Sequence, residues 1–306
     1  MTHFNFNFIT MKQFTSKILT LVFLFSSFIL TAQISHGTVQ EGLTIESKIL
    51  HKTVRYTIYL PYDYNTSNRY YPVVYLLHGY TDNDMGWTQF GEANRIADEG
   101  IAKGDFPPMI LVTPDAGVSW YINNYNGSVR YEDFFFKEFI PYIESHYRIR
   151  AEKQFRAVSG LSMGGYGSLV YVMKHPDMFA ACAGLSAAVR TDKQYLSLSS
   201  ARWAHTEAIL YGPGLEGKAR LNKSLRTNDP LYLVKTGDPA LLKKVKYYLD
   251  CGDHDYFTLG NSELHILMTQ RHIPHEFISR PGRHSWEYWR SGLPNALKFI
   301  GKVFTR

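Results

Sequence analysis

Gly160, Ser162 and Gly164 alternate directly after Phe155–Ser159, which reads as a strand, and just before Tyr166–Lys174, which reads as a helix. A serine on a sharp strand-to-helix turn is held clear of its sheet, where it can act as a nucleophile. The glycines remove Cβ atoms that would collide with the neighbouring strand and helix. The helix N-terminus that follows faces a developing oxyanion. The bare five-residue pattern also occurs in plain Gly/Ser turns. Its strand–turn–helix setting makes Ser162 the candidate nucleophile and the Met163 amide one candidate oxyanion donor.

Such a serine needs a base, and an acid to orient the base. On an elbow of this kind the acid follows a late strand and the histidine precedes the last helix. Val245–Asp250 is a late strand-like run, followed by Cys251, Gly252, Asp253, His254 and Asp255. Trp286–Phe304 is the last helical run, preceded by Pro281, Gly282, Arg283 and His284. His284 is therefore the candidate base, with His254 as a rival beside the acids. His51, His175, His205, His265, His272 and His275 read as surface or packed residues. Asp250, Asp253 and Asp255 all stand where the acid is required. Leu76, Leu77, His78, Gly79 and Tyr80 end the first central strand, and a His-Gly pair there supplies the second oxyanion donor. That donor is the Tyr80 amide, with His78 a structural residue of the loop.

Holding these residues requires a regular scaffold. Thr44–Leu50 and Val54–Leu60 alternate like paired strands. Val73–Leu77 and Met109–Thr113 are short runs of buried-strand type, and Phe179–Leu185 and His275–Ile278 read as further strands. Gly91–Lys103, Tyr131–Tyr147 (with Pro141 as a kink) and Asn261–Arg271 read as helices. Strands alternating with helices imply an α/β fold: a mostly parallel sheet covered on both faces, with an antiparallel N-terminal edge. Residues 187–240 break the rhythm and are expected to form a cap or lid inserted into a domain spanning 33–306.

Taken together, Tyr75–Gly79, Trp87, Leu111–Asp115, Gly160–Gly165, Cys251–Asp255 and His284–Trp289 resemble the esterase D-like family of α/β-hydrolases. That family includes feruloyl and acetylxylan esterases, S-formylglutathione hydrolases and mycolyltransferases. The resemblance runs from about Thr38 to the C-terminus and is nearest to the feruloyl/acetylxylan branch. There the acid closes a Cys-Gly-x-x-Asp turn, which implies Asp255. The base opens a His-x-Trp-x-x-Trp segment, which implies His284. The branch usually carries Gly-Gly-His before that tryptophan; here Arg283 replaces the second glycine.

The implied activity is serine-dependent hydrolysis of small-molecule or oligosaccharide esters, feruloyl or acetyl, without metal or cofactor. Acyl transfer and binding on a retained scaffold are the alternatives. Trp87, Trp120, Asn123 and Trp286 are the candidate substrate contacts, although packing is the plainer role for Trp286 and Trp289. Asp82, Asn83 and Asp84 lack the ligand run of a calcium loop and read as an exposed loop.

Composition sets the outer limits. The chain has 306 residues, of which 45% are hydrophobic and 20% charged, as in an ordinary globular protein. Its charge of +6 is scattered, so it carries no nucleic-acid footprint. Lys12 and Lys17 precede an apolar run from Ile18 to Leu30, followed by Ala32. This is the pattern of a secretory signal peptide over residues 1–32. The run is short for a span, which needs about 20 apolar residues. The expected mature protein is secreted or periplasmic and has no membrane anchor. Oligomeric state is not legible, nor is the pairing of Cys182 with Cys251.

Overall fold

Val73–Leu77 is apolar but for the Tyr75 hydroxyl, and alternate residues serve opposite faces. Val73, Tyr75 and Leu77 join one apolar cluster, and Val74 and Leu76 the other. A strand buried on both sides needs helices on both sides, and the chain provides them. The computed structural model describes residues 1–3 and 35–305. The chain divides into Met1–Ile34 and Ser35–Arg306, and everything below concerns the second unit. The expected signal peptide falls almost wholly outside the described residues. Among those described, no helix is long and apolar enough to cross a membrane.

Eight strands make one sheet in the order β1-β2-β4-β3-β5-β6-β7-β8. They are β1 (Thr38–Ser47), β2 (Lys52–Leu60), β3 (Val73–Leu77), β4 (Ile110–Pro114), β5 (Arg156–Leu161), β6 (Ala181–Leu185), β7 (Lys246–Gly252) and β8 (His275–Arg280). β1, β2 and β4 pair antiparallel, and β4, β3 and the remaining strands pair parallel. This is the expected α/β-hydrolase sheet with its antiparallel N-terminal edge.

Four helices matter most here: α1 (Ala93–Ala102), α2 (Met163–Lys174), α3 (Thr258–Gln270) and α4 (Trp286–Phe304). α1 and α4 pack on one face of the sheet, where Ile96, Leu293, Leu297 and Ile300 are buried. α2 and α3 pack on the other face, through Leu169, Leu264 and Met268. The helical stretch from Tyr131 to His146 is not simply kinked at Pro141. A π turn, Phe135–Phe139, precedes it, and the Ile140 amide donates to the Phe135 carbonyl. The wider turn relieves the clash that a proline ring makes with the carbonyl four residues back.

The segment 187–240 is more regular than its composition implied. It is a run of short helices opened by capping side chains: Thr191, Ser199, Asn222, Asp229 and Asp238 each accept a backbone amide. Trp203, Leu225 and Val234 from this run join the same apolar cluster as α2. Cys182 and Cys251 are buried free thiols.

Candidate active site

β5 delivers Ser162 to the carboxyl edge of the sheet. Its backbone sits at φ 52°, ψ −114°, between the strand and α2. Three hydrogen bonds hold that shape. The Ser162 amide donates to the Leu185 carbonyl at 2.9 Å, and the Ser162 carbonyl accepts the amides of Tyr166 (2.9 Å) and Ala188 (3.0 Å). The turn is too crowded for side chains on either flank. A Cβ on Gly160 would lie 2.5 Å from the Gly164 carbonyl, and one on Gly164 would lie 2.3 Å from the Leu77 carbonyl.

The loops after β7 and β8 bring the other two groups. His284 Nε2 lies 2.8 Å from Ser162 Oγ, and His284 Nδ1 lies 2.8 Å from Asp255 Oδ2. The second oxygen of Asp255 accepts the Phe257 amide at 2.9 Å, which fixes the carboxylate plane. The imidazole stands edge-on to Trp289 at 4.8 Å and touches Phe257 at 5.3 Å between ring centres. Ser162 is 8% exposed and Asp255 also 8%, so the hydrogen-bonded line is largely screened from water.

The neighbouring acids have other partners. Asp250 is fully buried and binds Arg280 and the Tyr288 hydroxyl. Asp253 accepts the Gly282 amide at 3.0 Å, lacing the acid loop to the histidine loop. His254 is exposed and bonded to Asp253, so it is removed from Ser162.

A cleft of about 500 Å³ opens over Ser162 and His284, and Tyr80, Asp82, Phe90, Trp286 and Trp289 contribute to its walls. The first turn of α2 leaves its amides, Met163 included, without acceptors inside the helix. Tyr80 also lines the cleft. Burial pushes the Asp82 carboxyl above the usual carboxylate range.

The expected substrate contacts divide. Trp286 lines the cleft. Trp87 does not: it has no exposure, donates from Nε1 to the Leu77 carbonyl at 2.9 Å and supports the Trp286 ring edge-on at 5.3 Å. Asn123 is committed to Asp133, donating to its carboxylate and accepting its amide, both at 3.1 Å. Trp120 is 7% exposed and outside the cleft lining, one ring contact from Tyr80 at 6.1 Å. The Asp82–Asp84 stretch is not an exposed loop either. Asp84 is fully buried, accepting the Thr57 hydroxyl at 2.9 Å beside Arg55. Sequence reading missed Phe90 and Asp82 as cleft walls and Phe257 as a support for His284. Phe257 was within reach of inference, since it follows the acid by two positions.

The family described as "Putative esterase" matches residues 47–300. An esterase of Mycobacterium tuberculosis is 33% identical over 248 residues, which are 74% of this chain and 51% of that protein. An endo-1,4-beta-xylanase/feruloyl esterase of Xylanibacter ruminicola is 33% identical over 153 residues, 48% of this chain and 21% of that protein. This chain thus spans about half the length of the mycobacterial relative and less of the second. A solved structure of a ferulic acid esterase is 33% identical with a TM-score of 0.76, covering 88% of this chain and 99% of that one. A match running from the end of β1 to within the last helix, over the elbow and both loops that meet at His284, makes this chain a member of the putative esterase family.

Proposed function

We propose that this protein is a serine carboxylic-ester hydrolase that uses Ser162 as nucleophile, His284 as general base and acid, and Asp255 as the orienting carboxylate. The observation that carries the reading is the line of two 2.8 Å contacts from Ser162 through His284 to Asp255. His284 Nε2 takes the Ser162 proton as Oγ attacks the ester carbonyl. The amides of Tyr80 and Met163 stabilise the oxyanion, each worth about 3–4 kcal/mol by oxyanion-donor precedent. His284 then gives that proton to the leaving alcohol. Water, activated by the same imidazole, attacks the acyl-enzyme and regenerates Ser162. Asp255 holds the imidazole with Nδ1 protonated and stabilises the imidazolium. The scheme uses no metal or cofactor.

Feruloyl or acetyl esters of plant-polysaccharide sugars are the proposed substrates. The aromatic cleft walls, Phe90, Trp286 and Trp289, support this, since flat rings suit both aromatic acyl groups and sugar faces. So do the names of the ferulic acid esterase and the xylanase/feruloyl esterase relatives. The protein acts outside the cytoplasm, as the basic and apolar pattern of residues 12–32 implies.

The test is hydrolysis of p-nitrophenyl acetate, p-nitrophenyl butyrate, methyl ferulate and acetylated xylan by the chain starting at Gln33, with Ser162→Ala alongside. Turnover on methyl ferulate or acetylated xylan that disappears in Ser162→Ala is expected. Absence of Ser162-dependent turnover on every ester would overturn the reading.

A further inference from the structure

Outside the cleft lining, a second group of side chains packs against residues of the site. Arg190 follows β6, two residues after Ala188, whose amide binds the Ser162 carbonyl at 3.0 Å. Its guanidinium carbon lies 5.7 Å from the Trp120 ring centre and 5.0 Å from that of Phe257. Those rings lead directly to the site: Trp120 touches Tyr80 at 6.1 Å, and Phe257 touches His284 at 5.3 Å. Arg190 is thus one ring away from the oxyanion loop and one ring away from the base.

The Arg190 side chain is 11% exposed, and its guanidinium donates no hydrogen bond to a described residue. Its charged partner is Glu207, whose Oε1 lies 3.6 Å from Nη1, beyond hydrogen-bond distance. Glu207 is 2% exposed, and that oxygen has no hydrogen-bond partner among the described residues. Burial pushes the Glu207 carboxyl upward, which weakens it as a counter-charge. A guanidinium cannot shed its proton and presents five donors in a fixed fork. Left without acceptors in a screened place, it favours a planar group with two oxygens.

Resting on the esterase reading above, we propose that Arg190, flanked by Trp120 and Phe257, is a subsite for a carboxylate on the ester substrate. Asp82, which lines the cleft, is the carboxyl that such a group would have to avoid. Two sources give the same chemistry: a dicarboxylic acyl group, or an acidic sugar on the alcohol side.

Two pairs of probes separate these sources. On the acyl side, p-nitrophenyl hydrogen succinate is compared with p-nitrophenyl levulinate, which replaces the carboxylate by a methyl ketone. On the alcohol side, p-acetoxybenzoate is compared with p-acetoxyacetophenone. The readout is the kcat/KM ratio of charged to neutral ester in each enzyme, so that the esters' intrinsic reactivities cancel between variants. In at least one pair the ratio should fall about tenfold in Arg190→Gln, the size of one charge-assisted hydrogen bond. It should fall less in Arg190→Lys, which keeps the charge and loses the fork. Glu207→Gln removes the competing carboxylate and should raise the ratio, an opposite sign that general loss of folding cannot produce. Ratios unchanged by Arg190→Gln and Arg190→Lys in both pairs would overturn the subsite. No Ser162-dependent turnover of any of these esters would instead remove the serine-esterase reading itself.

Discussion

The ring of His78 accepts the backbone amide of Ala116 at Nε2, 2.8 Å away. An amide can only donate, so Nε2 is bare and the proton sits on Nδ1, which donates to the Gly79 carbonyl at 2.8 Å. Burial pushes the His78 pKa down and keeps the ring neutral. The Gly79 carbonyl and the Tyr80 amide share one planar trans peptide and point in opposite directions. A ring that fixes the first therefore aims the second.

On the proposed mechanism, His78 is therefore a positioning residue for the Tyr80 donor. His78→Ala should lower kcat by about 10-fold to 100-fold, somewhat less than the loss of a whole oxyanion donor, while KM stays nearly constant. Steady-state kinetics on p-nitrophenyl acetate, with a melting curve beside it, measure this. A raised KM with intact kcat would show that the loop shapes the binding surface instead.

Two of the neighbouring carboxylates, Asp255 and Asp250, should separate by phenotype. Asp255→Asn should lower kcat by about 10⁴-fold, as in the protease template, with little change in stability. Asp250→Asn should do the reverse. It strips Arg280 and Tyr288 of a fully buried partner, at a cost of about 3 kcal/mol or more. Activity assays and urea unfolding on both variants make the comparison.

Trp87 and Trp286 touch each other yet should respond differently. Trp87→Phe leaves the buried Leu77 carbonyl without its donor and should destabilise by about 1–3 kcal/mol. Trp286→Ala removes a cleft wall and should raise KM for methyl ferulate more than it lowers the melting temperature. Thermal melts and Michaelis curves on both variants read out the difference.

Asp229 gives a pH-dependent signature. Burial raises its carboxyl from 3.8 to about 6, even with Arg226 beside it. A group whose folded pKa is raised binds its proton more tightly when folded. Its contribution is therefore full below the unfolded pKa and lost as pH rises through about 6. Asp229→Asn keeps the helix cap without titrating. Relative to this variant, the wild type should lose stability from pH 4 to pH 7, by at most about 3 kcal/mol, and no more above that. Denaturant titrations across that range provide the measurement.

The centre of the sheet was legible because β3 to β7 are buried on both faces, and its N-terminal edge because β1 and β2 alternate. Ser162 and His284 were legible because strand-to-helix junctions mark them. Choosing Asp255 over Asp250 and Asp253 was not possible from spacing alone, since all three flank one junction. What separates them is that Asp250 meets Arg280 and Asp253 meets Gly282, contacts between β7 and β8 that no local pattern encodes. Trp87 and Asn123 misled for the same reason. An aromatic or amide near a strand's carboxyl end looks available until the Leu77 carbonyl and Asp133 are seen to occupy it. Residues 187–240 hid their helices because each is short, although Thr191, Asn222, Asp229 and Asp238 stand at their starts.

The backbone of Ser162 lies at positive φ, in a conformation that costs a non-glycine residue about 1–3 kcal/mol. Glycine at this position would fold more easily and do no chemistry. On the proposed mechanism the serine is kept by its reaction against the preference of the fold, and Ser162→Gly should trade turnover for heat resistance.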